Sequence, residues 1–187
     1  MGAGPAMVAV LRVLRQEHAD LARLLDMVEA QLGGDGVPDV ALLTGILDYF
    51  LTYPDQYHHP KEDLIYRTLC RHDARLGPVI DDLEAEHEEL AIAAREFSEA
   101  LERARRDGDA PGTGVRCLAR SFVETYRRHM DKEEHQFFPE ALRTLTPEEW
   151  ADIEAEITDP TDPLFHGKAP QRRSNVEARI RGHRGAA

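Results

Sequence analysis

Apolar residues recur in steps of three and four along four long stretches of the chain. From Val8 to Leu32, the positions Leu11, Leu14, Leu21, Leu25, Val28 and Leu32 form one stripe, the signature of a helix with a single buried face. Gly33-Gly34-Asp35-Gly36-Val37-Pro38 ends it. A second stretch, from about Asp39 to Arg71, keeps the rhythm with Leu43, Ile46 or Leu47, Phe50, Ile65 and Leu69, interrupted by Pro54 and Pro60. The third carries Ile80, Leu83, Leu90, Ala94, Phe97 and Leu101 and gives way to the turn-rich Asp107-Gly108-Asp109-Ala110-Pro111-Gly112. The fourth, from about Val115 to Leu145, carries Leu118, Phe122 and Phe137. Beyond it, Thr146-Pro147-Glu148-Glu149 reads as a capping box with proline at the first helical position, followed by Trp150, Ile153 and Ile157.

Four amphipathic helices with short links predict an all-α fold, an antiparallel up-down-up-down four-helix bundle over residues 1–145. Residues 146–187 are expected to form a short extra helix, packing Trp150 on the bundle, and a basic C-terminal tail. From His166 onward that tail holds six Lys or Arg against one Glu, a composition that does not build a core and suits an acidic protein partner.

Each stripe is broken near its middle by a histidine: His18, His58, His87 and His129. Two of these are followed one turn later by a glutamate, His58 by Glu62 and His129 by Glu133, and i, i+4 partners project from the same side of a helix. Mid-helix positions of an antiparallel bundle converge on one layer, so four imidazoles and two carboxylates are expected to share a small volume. Buried without partners, such groups would cost several kcal/mol each, enough to cancel a typical domain stability of about 5–15 kcal/mol. A pair of cations removes that conflict. Imidazole and carboxylate without thiolate suit iron, zinc, manganese or copper rather than calcium. Six donors exceed the needs of one catalytic zinc and match two six-coordinate ions bridged by carboxylates.

A single histidine on an apolar face, or one His-x-x-x-Glu, is ordinarily a core or surface pair; the selection rests on the conjunction across four helices. His59 and Asp63 repeat the i+4 spacing about 100° around the helix, so they are assigned to the outside, and His135 likewise points away from His129. Tyr57, Tyr66 and Tyr126 are expected as core or rim aromatics rather than redox groups, though Tyr126, about one turn before His129, could touch the site. Pro60 has no N–H for the carbonyl of Gln56, which predicts a kinked or loosened helix at the ligand layer.

Charge and composition narrow the partners. With 35 Asp and Glu against 23 Lys and Arg the formal net charge is −12, which disfavours phosphate backbones and anionic lipid. Nucleic acid and membrane are therefore not expected as partners, and the absence of a long apolar run points to a cytoplasmic protein. The two cysteines, Cys70 and Cys117, have no CxxC spacing, which fits a reducing compartment and excludes a cysteine-based zinc site.

The combination of His18, the run His58-His59-Pro60-Lys61-Glu62-Asp63, Glu86-His87-Glu88-Glu89-Leu90 and His129-Met130-Asp131-Lys132-Glu133-Glu134-His135-Gln136-Phe137-Phe138-Pro139 resembles the hemerythrin-like, HHE cation-binding family over roughly residues 10–145. The resemblance implies a four-helix bundle with a non-haem di-iron centre, an oxo or hydroxo bridge and two bridging carboxylates. Carried over by position, the metal ligands are His18, His58, Glu62, His87, His129 and Glu133, with zinc or manganese as substitutes for iron. The oxygen-carrying branch pairs two histidines in its third helix, but here His87 has Leu83 one turn before it and Ala91 one turn after. That branch also has an Asp five residues after the fourth-helix histidine, where this chain has Glu134. Four histidines with two glutamates resemble instead the branch tied to iron-centre repair, nitric oxide response, iron sensing or peroxide handling.

The expected function is binding of a small ligand, dioxygen, peroxide or nitric oxide, at a carboxylate-bridged iron pair, as sensor, scavenger or iron handler. The alternative is a di-iron enzyme with peroxidase, catalase-like or ferroxidase activity. A metal-free helical interaction or phosphotransfer module conflicts with four inward histidines.

Overall fold

The computed structural model describes residues 8–33, 36–72 and 83–157. Ile80 of the third stripe and the basic tail lie outside the described residues. All regular elements among the described residues are helical: α1 (Ala9–Gly33), α2 (Val40–Phe50), α3 (His59–His72), α4 (Leu83–Asp107), α5 (Thr113–Lys132), α6 (Phe138–Thr144) and α7 (Pro147–Glu156). Two π-helical turns, at Pro54–His58 and Glu133–Phe137, join α2 to α3 and α5 to α6. The result is four rods: α1, α2–α3, α4 and α5–α6. α1 packs on α2 and α5, and α4 packs on α2, α3 and α5.

The order of apolar and polar residues along each rod gives its direction. α1 passes from Val10, Leu11 and Leu14 in a smaller apolar cluster, through buried Glu17, His18 and Asp20, to Leu21, Leu25 and Val28 in a larger one. The second rod runs the other way, from Leu43 and Phe50 through His58, His59 and Glu62 to Ile65 and Leu69. α4 begins at Leu83 in the smaller cluster and passes His87 on its way to Phe97 in the larger. The fourth rod passes from Phe122 and Tyr126 through His129 and Glu133 to Phe137 and Phe138. The bundle is thus all-α and up-down-up-down, with one polar layer cutting its core in two.

Both π-helical turns close just before an X-Pro pair. The N–H of His59 reaches the carbonyl of Pro54 and that of Phe138 reaches the carbonyl of Glu133, one residue further back than in an α-helix. Pro60 and Pro139 come next in the chain. A proline cannot bond the carbonyl four residues before it and its ring crowds that carbonyl, and a widened turn relieves both conflicts. The loosening expected at Pro60 therefore takes the form of one accommodated extra residue, and Pro139 imposes a second one.

Helix ends follow local chemistry. The Asp39 carboxylate accepts from the Leu42 N–H at 3.0 Å at the start of α2. Gly108, at φ 75°, closes α4 in the left-handed conformation that a residue with a Cβ rarely adopts. Before α7 the capping box forms in both directions between Thr146 and Glu149. Trp150 and Ile153 of α7 enter the smaller cluster. Glu154 accepts from the N–H groups of Ala9 and Val10 at 2.9 and 3.4 Å, and His72 meets Glu149 at 2.6 Å, so α7 ties the start of α1 to the end of α3. No described helix is long and apolar enough to cross a membrane.

Phe122 is fully buried against Phe50, Phe97 and Tyr126 at ring distances of 5.0, 5.7 and 5.0 Å. Phe122→Ala should lower unfolding free energy by about 3–5 kcal/mol in a urea titration; a change under about 1 kcal/mol would show that this cluster is not the stabilising core.

Candidate metal centre

The polar layer has an inner and an outer face. Inward, His18 Nε2 lies 3.3 Å from Glu62 Oε1 and 3.2 Å from Glu133 Oε2. His58 Nε2 lies 3.3 Å from Glu62 Oε1. On the other side, His129 Nε2 is 3.0 Å from Glu133 Oε1, and His87 Nε2 is 3.6 Å from Glu62 Oε2 and 3.7 Å from Glu133 Oε1. Each glutamate therefore turns one oxygen toward His18 and the other toward His87, the disposition of a carboxylate that spans two cations. Donor atoms of His18, His58 and Glu62 lie within 4.8 Å of one another, and so do those of His59, Glu62, His87 and His129. All six residues expected from the sequence, His18, His58, Glu62, His87, His129 and Glu133, are brought together here.

Outward, each of the four expected imidazoles presents Nδ1 to a carboxylate of another rod. His58 meets Glu17 at 2.8 Å, His87 meets Asp63 at 3.1 Å, His129 meets Glu86 at 2.8 Å and His18 meets Glu134 at 3.0 Å. The contacts form a closed cycle, in which α1 braces the second rod, the second braces α4, α4 braces the fourth and the fourth braces α1. Every brace ends on a cation: Lys61 is 2.5 Å from Glu17, Lys132 2.6 Å from Glu86, Arg15 3.0 Å from Glu134 and Arg67 3.6 Å from Asp63. A carboxylate on the far nitrogen sets the ring tautomer and leaves the inward lone pair free to bind a metal. Glu17 also accepts from the Tyr53 hydroxyl at 2.7 Å.

One assignment is overturned. His59 does not face the outside: it is 4% exposed and stacks on His87 with centroids 4.0 Å apart and planes 5° from parallel. The π-helical turn ending at His58 shifts the helical phase, and His58 and His59, successive in the chain, are both buried. Its former companion Asp63 is the brace of His87. His135 does point outward, at 73% side-chain exposure, with Nδ1 on the carbonyl of Asp131. The braces Glu17, Asp63, Glu86 and Glu134 are not among the residues that helix period alone turns inward. Their signal was present, however: each is the immediate neighbour of an inward donor, one step of about 100° around the helix toward the next rod.

Burial and charge oppose one another throughout the layer. Burial alone would lower His87, but Asp63, Glu133 and Glu62 raise it to about 10. In the same way Glu133 and Glu86 overcome burial and raise His129 to about 9, and the carboxylates of Glu133, Glu134 and Glu62 raise His18. Burial would raise Glu17, yet His58 and Lys61 bring it to about 2, and the His129 contact brings Glu86 to about 2. Glu133 is held well below its ordinary value because His129, His18 and His87 outweigh its burial. His59 is the exception. Burial, with the charges of His87 and His58, lowers it to about 4 against the pull of Asp55.

These residues fit a cation pair by a test internal to the structure. Nε2 of His18, His87 and His129 and both oxygens of Glu62 and of Glu133 are buried without a hydrogen-bond partner. Buried polar atoms are almost always satisfied, and here they approach each other at 3.0–3.7 Å without hydrogen-bond geometry. A four-helix bundle whose core closes on such atoms is a cation-binding bundle. The family model described as the hemerythrin HHE cation-binding domain matches residues 9–141, and the chain belongs to that family. Comparison with curated proteins and with solved structures brings no significant match.

For the chain stripped of metal by a chelator, stability should rise as pH falls from about 10 to about 6.5, because folded His87 and His129 take up protons that the unfolded chain does not yet hold. It should fall below about 6.5 as unfolded histidine outcompetes His59. The loss should steepen below about 4.5, where unfolded glutamates bind protons that Glu17 and Glu86 refuse until about pH 2. Urea midpoints across pH 3–10 measure this, and a flat profile between pH 7 and 10 would refute the assigned couplings.

Proposed function

We propose that the chain is a non-haem di-iron protein that binds a small ligand, dioxygen, peroxide or nitric oxide, as sensor, scavenger or iron handler. In this reading His18 and His58 hold one ion, His87 and His129 hold the other, and Glu62 and Glu133 bridge them, with His59 in reach of the second. The observation that carries it is the division of each glutamate's two oxygens between two imidazole sets. Nitrogen and oxygen donors without sulfur suit iron, with zinc or manganese as substitutes.

An iron pair so held supplies an open coordination position for a small ligand. The protein's part is to hold neutral imidazoles in fixed orientation through Glu17, Asp63, Glu86 and Glu134, and to limit access. The donor residues are between 0% and 7% exposed, so a ligand of two or three atoms is favoured over a bulky substrate. Phe138, stacked on His18 at 5.5 Å, closes the layer from the smaller cluster.

Metal analysis of protein produced with iron should find two irons per chain and an oxo-bridge absorption in the visible. Glu62→Ala and Glu133→Ala should each lose both ions. His59→Ala should release one iron to a chelator well before the other. A parent chain with no iron, or with a single zinc, would sink the reading. A second prediction concerns the braces: Glu86→Gln should weaken metal binding about 10–100-fold while leaving the helical circular dichroism unchanged.

A further inference from the structure

Tyr126 is a buried polar side chain that neither the metal layer nor its braces employ. It is 1% exposed, and its ring is held in aromatic contact with Phe50 at 4.7 Å and Phe122 at 5.0 Å. Its hydroxyl is buried without a hydrogen-bond partner. Tyr53 shows how the same fold satisfies a buried phenol when the role is structural, by donating to Glu17 at 2.7 Å.

An orphaned buried hydroxyl costs about 1–3 kcal/mol, and phenylalanine would fill the same apolar space without that cost. The position of Tyr126 suggests what offsets it. Tyr126, His129 and Glu133 succeed one another at i, i+3 and i+7 on the fourth rod, so they share one stripe, with Tyr126 about one turn before the donor layer. The negative charges that its hydroxyl senses are Asp55 and Glu133, one on each π-helical turn. Burial first, then those charges, hold the phenol far above the ordinary tyrosine range. It therefore remains protonated and available as a donor.

We propose that the Tyr126 hydroxyl donates a hydrogen bond to the exogenous ligand held at the metal layer, and so selects ligands whose outer atom carries negative charge or an available lone pair. The assignment rests on the cation-pair reading of the site. Peroxide and azide meet the requirement, and a purely apolar guest does not.

The test is Tyr126→Phe in the full chain, with azide as the probe. Three quantities are measured: iron per chain, the azide Kd from the visible spectrum of the iron-loaded protein, and the urea midpoint of the chelator-treated protein. The variant should keep two irons, bind azide about 10–100-fold more weakly, as expected for loss of a hydrogen bond to a charged group, and be at least as stable without metal as the parent. Unchanged azide affinity would overturn the proposal. So would a destabilised metal-free variant, because the hydroxyl would then have a protein partner. A parent that binds no iron would overturn the cation-pair reading, and this assignment with it; two irons in the parent with unchanged azide affinity in the variant would overturn this assignment alone.

Discussion

The bundle depends on keeping a layer of imidazoles and carboxylates in the middle of an apolar core. Burying charge is unfavourable unless every lone pair and proton has a counterpart. The structure meets that requirement on the outer side by a closed cycle, in which Glu17, Asp63, Glu86 and Glu134 each receive the Nδ1 of another rod's histidine. Lys61, Arg67, Lys132 and Arg15 then offset the four acids. On the inner side Nε2 of His18, His87 and His129 and all four oxygens of Glu62 and Glu133 are left without a hydrogen-bond partner.

The cycle also explains how the layer can be both buried and well oriented. Each brace crosses from one rod to another, so the four rods are registered against one another at the height of the donors. The apolar clusters on either side of the layer, one around Phe50, Phe97 and Phe122 and the other around Phe137, Phe138 and Trp150, press the rods together but specify their relative height less sharply. The directional hydrogen bonds of His18, His58 and His129 to their braces, at 2.8–3.0 Å, do so. Protonation of His18, His87 and His129 is linked to the neighbouring carboxylates, which is why the metal-free chain is expected to resist alkali poorly.

The two prolines act as matched devices. Pro60 and Pro139 each come directly after a residue that closes a π-helical turn, and each turn lies near or contains one of the two inward glutamates, Glu62 or Glu133. The extra residue in a widened turn rotates the next stretch of helix about its axis, and in the second rod it brings His58 and His59 inward together. Local helix strain at a proline thus becomes an additional imidazole for the layer.

Much of this was legible in the chain before folding was considered. The 3.6-residue stripes, the mid-stripe histidines and the two i+4 glutamates determine a four-helix bundle and its six inward donors, because helix period alone decides which residues share a face. Even the capping box of α7, formed by neighbours in sequence, could be read directly. The orientation of His59, the identity of the four braces and the isolation of the Tyr126 hydroxyl could not. His59 depends on how a helix absorbs the missing N–H of Pro60, as a kink, a break or a widened turn, and packing chooses among these. The braces depend on which rod lies beside which, so Glu17 serves His58 rather than its own neighbour His18. Periodicity is a property of one helix, whereas a hydrogen bond between rods exists only once their order, direction and height are set.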